Sequence, residues 1–435
     1  MSFDKLPNGW QQIPLEDAMD AIIDYRGKTP KKTESGIPLI TAKIVKGGYV
    51  LEPFEFIAED NYDSWMVRGL PQVGDVVLTT EAPLGETAQL TSSNVALAQR
   101  IVTLRGKKGL LDNDFLLCSL QSDFVQHQLE ARASGSTVKG IKQSELRKVS
   151  LLIPPLPEQK IISQTLKSLS NKLVCNVQTN QTLEEMAQTI FRSWFVDFDP
   201  VKAKMNGDQP EGMNVATALL FPEKLVESEL GLIPEGWEVG ELSDLMDFNP
   251  KRTLKKGTLA PYLDMKNMPI TGHLALDFFD REMGSGTKFV NGDALLARIT
   301  PCLENGKTAF VDFLEDEQVG WGSTEYIVMR SKSDSYKYFS YFMARFEPFR
   351  KFAIQSMTGT SGRQRAQAKT VQTMPFVIPP HSILEKFDEL ISANMELIKC
   401  HGDENKTLTE LRDTLLPKLL SGEIELNKVS LCQNF

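Results

Sequence analysis

Two long stretches of the chain carry apolar residues at seven-residue steps. After Pro157 one seam is Leu166, Leu173, Asn180, Ala187 and Trp194, and its companion is Ile162, Leu169, Asn176, Leu183 and Ile190. After Pro380 the seams are Phe387, Asn394, His401, Leu408 and Leu415, alternating with Ile383, Leu390, Leu397, Glu404 and Leu411. Heptads sustained this long predict two helices, over 158–198 and 382–423, pairing as a coiled coil. Antiparallel pairing is the simplest arrangement of two such helices in one chain. Asn176, Asn180, Asn394 and His401 put polar groups mid-seam; they either weaken it there or fix its register, and a register role is favoured. Elsewhere the pattern is mixed. Asp75–Thr80 and Ala294–Ile299 are short strand-like runs entered from Gly-Asp turns. Phe115–Arg132 and Tyr338–Gln355 have helical spacing and run into small polar loops at 133–137 and 358–362. Residues 201–228 are acidic, contain Gly, Pro and Asn, and read as a linker with one short helix.

The elements recur. Pro7-Asn8-Gly9-Trp10 returns as Pro234-Glu235-Gly236-Trp237, a shift of 227. Gly74-Asp75 returns as Gly292-Asp293, a shift of 218, and Ile153-Pro154-Pro155 as Ile378-Pro379-Pro380, a shift of 225. Several matches in one order predict a tandem duplication, each unit a mixed α/β globular domain followed by a long helix.

Composition adds exclusions. Five scattered cysteines without a CxxC pair and four dispersed histidines argue against a disulfide scaffold or zinc site and for a reducing compartment. No run is long and apolar enough to cross a membrane, and MSFDKLPNGW lacks the parts of a signal peptide, so a cytoplasmic protein without membrane contact is expected. The net charge of −9 hides a division. Residues 182–247 hold fourteen acidic and four basic side chains, −10, leaving −9 − (−10) = +1 for the rest. Residues 22–48 and 250–266 are each +4, 130–149 is +3 and 345–372 is +5. Local phosphate contact is therefore compatible with an acidic whole.

Candidate catalytic motifs fail. Gly27-Lys28-Thr29 and Gly306-Lys307-Thr308 resemble the end of a phosphate-binding loop, but Ile22 and Pro301 stand where its first glycine belongs. Asp264-Met265-Lys266 has no second acidic pair to complete a nuclease site. No GxGxxG follows a strand, and Asn249-Pro250 leads into Lys251 rather than an amino-methyltransferase loop. What remains suits DNA. Arg26, Lys28, Thr29, Lys31 and Lys32 form a basic loop held by Gly27 and Pro30, with Lys251 and Arg252 opening the second unit's basic stretch. Ser134, Ser136, Thr137 and Lys139, among glycines, offer hydroxyls, amides and a cation to phosphate oxygens. Thr360, Ser361, Arg363, Gln364 and Arg365 are their counterparts, and the arginines and glutamine could reach guanine and adenine edges. The alternative for every one of these loops is a solvated turn.

The stretches PNGW, IPEGW, RGKTP, GSTVKGI, IPPLPEQ, FRSWFVDFDPV, ARITPCLENGKTA, GSTEYIV, MTGTSGRQR and LLPKLLSGEI together resemble the DNA specificity subunit of a type I restriction-modification system. They span both units, in the order that family has them; the departure is Ile378-Pro379-Pro380-His381-Ser382-Ile383-Leu384-Glu385, where Pro-Leu-x-Glu-Gln is usual. The resemblance implies a first target recognition domain (1–157), a central helix (158–198), an acidic linker (199–228), a second recognition domain (229–381), a C-terminal helix (382–423) and a tail (424–435). It implies that each domain reads half of a split site in double-stranded DNA. The helices would act as spacer and dock two modification (methyltransferase) subunits, with restriction (motor-nuclease) subunits joining through the complex. No cofactor is expected on this chain: S-adenosylmethionine, ATP and Mg would sit on those partners. The expected protein is non-catalytic. Its rivals are a coiled-coil scaffold without a DNA role and a self-contained DNA methyltransferase or nuclease.

Overall fold

The computed structural model describes residues 6–135, 138–360 and 363–424, and the chain divides into two compact units. The first is Met1–Leu173 with Thr407–Phe435; the second is Val174–Lys406. Each takes part of both long helices, which run over Leu156–Arg192 (the central helix) and His381–Ser421 (the C-terminal helix).

In the first unit an antiparallel sheet has the order Met19–Asp24, Ile101–Gly106, Val76–Thr80, Leu84–Gln89. The run Val76–Thr80 is buried throughout, which follows from its two covered faces. Alternate residues of a strand point to opposite sides. Val76 and Leu78 share a core with Phe115, Leu116 and Leu120, while Val77 joins Leu39, Ile40 and Ala88 on the other side. That second core is closed by a smaller sheet in the order Ala96–Leu97, Ile37–Ile40, Phe56–Ile57, Lys32–Thr33. Gln11–Pro14 pairs antiparallel with Ser150–Ile153 and closes the domain at the foot of the central helix. The helix expected over 115–132 is two helices, Asn113–Gln121 and Asp123–Arg132. Ser122 adopts an extended conformation between them, and its hydroxyl accepts the Val125 amide as an N-cap.

The second unit repeats this arrangement: Met246–Phe248, Tyr326–Ser331, Ala294–Ala297, Thr308–Phe310 in the same order, with Glu238–Glu241 paired to Pro375–Ile378. Its second sheet is Phe279–Glu282, Leu259–Leu263, Gly320–Gly322, Thr287–Phe289. Here too the expected single helix is broken, into Phe339–Arg345 and Glu347–Gln355, because Pro348 can stand only in a first turn. The fold is thus mixed α/β in tandem duplication with two long antiparallel helices.

One expectation about the helices is corrected. The first seam is buried or half-buried as its spacing requires, but Leu390, Leu397 and Leu411 of the C-terminal helix are 47%, 42% and 44% exposed. The companions of Phe387 lie four residues on rather than three: Ile391 and Ile398 are buried, together with Leu384 and Met395. Pairing follows this shifted stripe. In the second unit Leu183, Ala187 and Ile190 share a core with Phe387, Ile391, Met395 and Ile398. In the first, Ile162 and Leu166 share one with Leu415, Leu416, Leu419 and Leu420. Asn176 donates to Glu404 at 2.7 Å and to Asn405 at 2.9 Å; Asn180 meets His401 at 2.7 Å and donates to the Ile398 carbonyl at 3.2 Å. Rising numbers on one helix meet falling numbers on the other, so the pair is antiparallel. Asn394 is half-buried.

Residues 199–228, expected to be a linker, are instead folded into the second unit. Asp199–Met205 is helical with Val201 fully buried, and Lys204 Nζ donates to the Phe221 carbonyl at 2.6 Å. Phe221 and Trp194 pack edge to face at 5.1 Å. The acidic side chains made this stretch look solvated; its few apolar residues, Val201, Ala218 and Phe221, are what pack.

A buried polar cluster ties the central helix to two loops and to the helix Phe339–Arg345 of the second unit. His273 is enclosed between Asp312, whose Oδ2 lies 3.2 Å from Nε2, and Glu184, whose Oε2 lies 3.7 Å from Nδ1. Tyr341 donates to the other Glu184 oxygen, and Arg345 Nε to the Tyr341 hydroxyl at 3.1 Å.

Candidate nucleic-acid interface

The two Ser/Gly loops are held in the same way. In the first unit Ser134 and Gly140 exchange main-chain hydrogen bonds at 2.8 and 2.9 Å. In the second, Thr358 and Arg365 do so at 3.1 and 2.9 Å. Gly135 and Gly359 turn the chain inside these loops with φ of +116° and +129°, a region where a side chain is strained. A Cβ on Gly135 would lie 2.1 Å from the Val138 carbonyl oxygen. Each loop is then stitched to the end of a central strand. The Ile141 amide donates to the Thr80 carbonyl at 3.0 Å, and the Thr80 amide to the Arg100 carbonyl at 2.9 Å. Correspondingly, the Ala366 amide donates to Arg298 at 2.9 Å and the Arg298 amide to Glu325 at 3.0 Å.

The side chains on this repeated frame differ. In the first unit the basic loop joins it: Arg26 Nη1 donates to the Ile141 carbonyl at 2.7 Å, and Thr29 Oγ1 to Gln99 Oε1 at 2.8 Å. Arg26 also faces Asp24 at 3.7 Å, and its Nη2 is buried without a hydrogen-bond partner among the described residues. Arg100 Nε meets Glu81 at 3.0 Å. Lys28, Lys31 and Lys139 are exposed and have no ion-pair partner among the described residues. Lys32, a candidate, is instead engaged: with Lys43 it grips Glu55, at 2.7 and 3.2 Å, and Lys32 leads in holding that carboxyl below the usual carboxylate range.

In the second unit Arg365 is also engaged. Its Nε contacts both oxygens of Glu325 at 2.9 Å, Nη2 lies 2.8 Å from one of them, and Nη1 donates to the Arg363 carbonyl at 3.2 Å. Arg298 Nε reaches the same carboxylate at 3.2 Å. Arg365 first, then Arg298, lower the Glu325 pKa against its partial burial. Thr360, Arg363 and Gln364 are exposed at the loop. Ser136, Thr137 and Ser361 lie outside the described residues.

The candidates Lys251 and Arg252 do not join this loop. Lys251 is exposed, while Arg252 Nη2 contacts the fully buried Asp293 at 3.1 Å, beside Arg330 Nη1 at 3.1 Å. This is a structural pair repeated from the first unit, where the buried Asp75 takes Arg105 at 2.7 Å through both Nε and Nη2. Arg100, Glu81, Arg298 and Glu325 escaped the sequence reading. Extending the observed shifts pairs Thr80 with Arg298 and Arg100 with Glu325, the signal that could have found them.

The arrangement offers cations, amides and hydroxyls on exposed loops. Among the described residues no group of three or more His, Cys, Asp or Glu could hold a metal ion, and no helix is long and apolar enough to cross a membrane.

Comparison with known proteins follows the same lines. Residues 7–185 match the type I restriction modification DNA specificity domain. The type I restriction enzyme MjaIX specificity subunit of Methanocaldococcus jannaschii is 24% identical, over 98% of this chain and 96% of its own. The HindI specificity subunit of Haemophilus influenzae is 24% identical over 76% of this chain and 82% of its own. Among solved structures, the S subunit of a type I restriction-modification system from M. genitalium shares the fold, with a TM-score of 0.55 at 16% identity, covering 95% of this chain and 97% of that one.

Proposed function

The chain belongs to the DNA specificity subunits of type I restriction-modification systems, and on that premise we propose that it reads a bipartite site in double-stranded DNA, one half-site per unit. It performs no chemistry itself. It directs adenine methylation and restriction by partner subunits, which supply S-adenosylmethionine, ATP and Mg. The observation that carries this reading is the repeated main-chain frame: two equivalent loops, stitched to equivalent strand ends, display different polar side chains. A duplicated support with divergent display suits a protein that recognises two unlike half-sites. The basic side chains left exposed around the first frame, Lys28, Lys31 and Lys139, suit the backbone contacts that set register on a duplex. For docking of modification subunits on the helices, what favours the reading is the outward turn of Leu390 and Leu397, one heptad apart on the C-terminal helix.

The test assembles the chain with its modification subunits and selects bound sites from a random duplex library at several salt concentrations. A split motif is expected, with affinity falling steeply as salt rises, because neutralised phosphates release counterions. Replacing residues 1–157 by the same domain of a relative is expected to change one half of the motif only. Binding that selects no motif, or is indifferent to salt, would remove the reading.

A further inference from the structure

Resting on the reading of DNA just proposed, we infer that each unit carries one arginine held by its Nε on a carboxylate, with its terminal fork free to read a guanine: Arg298 on Glu325 in the second unit and Arg100 on Glu81 in the first. The main-chain frame is the same in both units, bond for bond, but the arginine is seated at a different position on it. Arg298 corresponds to Thr80, and Arg100 to Glu325. The first sits at the end of strand Ala294–Ala297, the second at the start of Ile101–Gly106.

Arg298 donates its Nε to Glu325 at 3.2 Å, whereas Arg100 Nε makes an ion pair with Glu81 at 3.0 Å without hydrogen-bond alignment. Among the described residues neither makes a hydrogen bond from its two terminal nitrogens. A guanidinium held at Nε loses part of its free swing and keeps two parallel donors for a ligand, the pair that matches O6 and N7 of guanine in the major groove. A cation placed only to meet phosphate has no need of such orientation. Arg365 differs. With Nε and Nη2 on Glu325 and Nη1 on a carbonyl it is spent inside the loop, and it acts as a positioning residue that braces Glu325. In the first unit its place is taken by Gly140, and Arg100 has only Glu81 behind it. Arg298 is 25% and Arg100 52% exposed, so the better-braced arginine is also the more enclosed.

The experiment uses the full assembly and the same library selection, with Arg298→Lys, Glu325→Gln and Arg100→Lys. Lysine keeps the charge but loses the fork. Arg298→Lys is expected to relax preference at one base pair of the second unit's half-site, roughly tenfold or more, with the salt dependence of binding unchanged. Glu325→Gln is expected to relax the same base pair, and Arg100→Lys one base pair of the other half-site. Unfolding midpoints show whether each variant is folded, and Arg298→Lys, which leaves Glu325 and Arg365 in place, decides if Glu325→Gln is not. If the wild type selects a split motif and the lysine variants select the same one, the inference fails while the DNA reading stands. If binding weakens equally for all sequences, the arginines contact phosphate and the inference also fails. If the wild type selects no motif, the DNA reading fails and takes the inference with it.

Discussion

His273 shows how a single residue can set the pH range of the second unit. Burial pushes its imidazole pKa down, but the carboxylates of Asp312 and Glu184 more than offset this, and it stands at about 9 against an ordinary 6.5. Glu184, for which burial acts upward, is held below the usual carboxylate range by His273, Tyr341 and Gln188. The imidazole is therefore a buried cation between two anions. Its charge is contributed to the folded state in full below about 6.5, the unfolded value, and the contribution is lost as pH rises through about 9. The melting temperature of the wild type is expected to fall between pH 7 and 9.5 by several degrees more than that of His273→Gln, at roughly 2–4 °C per kcal/mol. At pH 7 the variant itself is expected to be the less stable, since it leaves two carboxylates without their cation. Parallel pH profiles for the two proteins would show that His273 carries no charge in the fold. Asp75 and Asp293 are likewise buried carboxylates, held by Arg105 in one unit and by Arg330 and Arg252 in the other. Asp75 also accepts the Gln72 amide, and Asp293 that of Val290, both at turns entering a central strand.

Among the elements, the break at Ser122 is the clearest case of one side chain deciding two helices. Its hydroxyl donates to the Ser119 carbonyl at 2.6 Å and accepts the Val125 amide at 3.3 Å, so it serves the end of one helix and the start of the next. Ser122→Ala is expected to cost about 1–2 kcal/mol, read as a lower denaturant midpoint, with DNA half-sites unaltered. Neither this break nor the one at Phe346 was legible in the apolar spacing, because both helices keep their faces on the core across it. The central helix was legible because its apolar positions fall on one narrow stripe. On the C-terminal helix the stripe is broad: Leu390 and Ile391, then Leu397 and Ile398, are adjacent apolar pairs, and spacing cannot say which member turns inward. Tertiary contact decides it. The candidate interface was legible to the same degree. The small-residue loops stand out in the sequence, whereas Arg298 and Glu325 are 27 residues apart and Glu325 and Arg365 are 40 apart, partners that only the strand order brings together. Charge alone does not show that Lys32 and Arg252 belong to ion pairs, which no basic run reveals.

At the scale of the whole molecule, duplication was legible from a few short matches and reappears in the strand order of both units. What the sequence concealed is that the units are not laid down one after the other. The second is continuous, Val174–Lys406, whereas the first is completed by residues from 407 onward. Leu419 and Leu420 are buried in a core with Ile162, Leu166 and Trp10, and Gly422 sits against Pro7. A chain ended after Lys406 is therefore expected to keep a cooperative transition for the second unit, while strands of the first lose protection from hydrogen exchange; full protection of both would show that the returning segment is dispensable. During synthesis the same arrangement inverts the order of completion. A ribosome adding about 5–20 residues per second finishes the second unit while the first, begun earlier, still waits with an apolar face uncovered. The half of the protein that is made first is the half that is finished last, and in that interval it is the part a chaperone would have to hold.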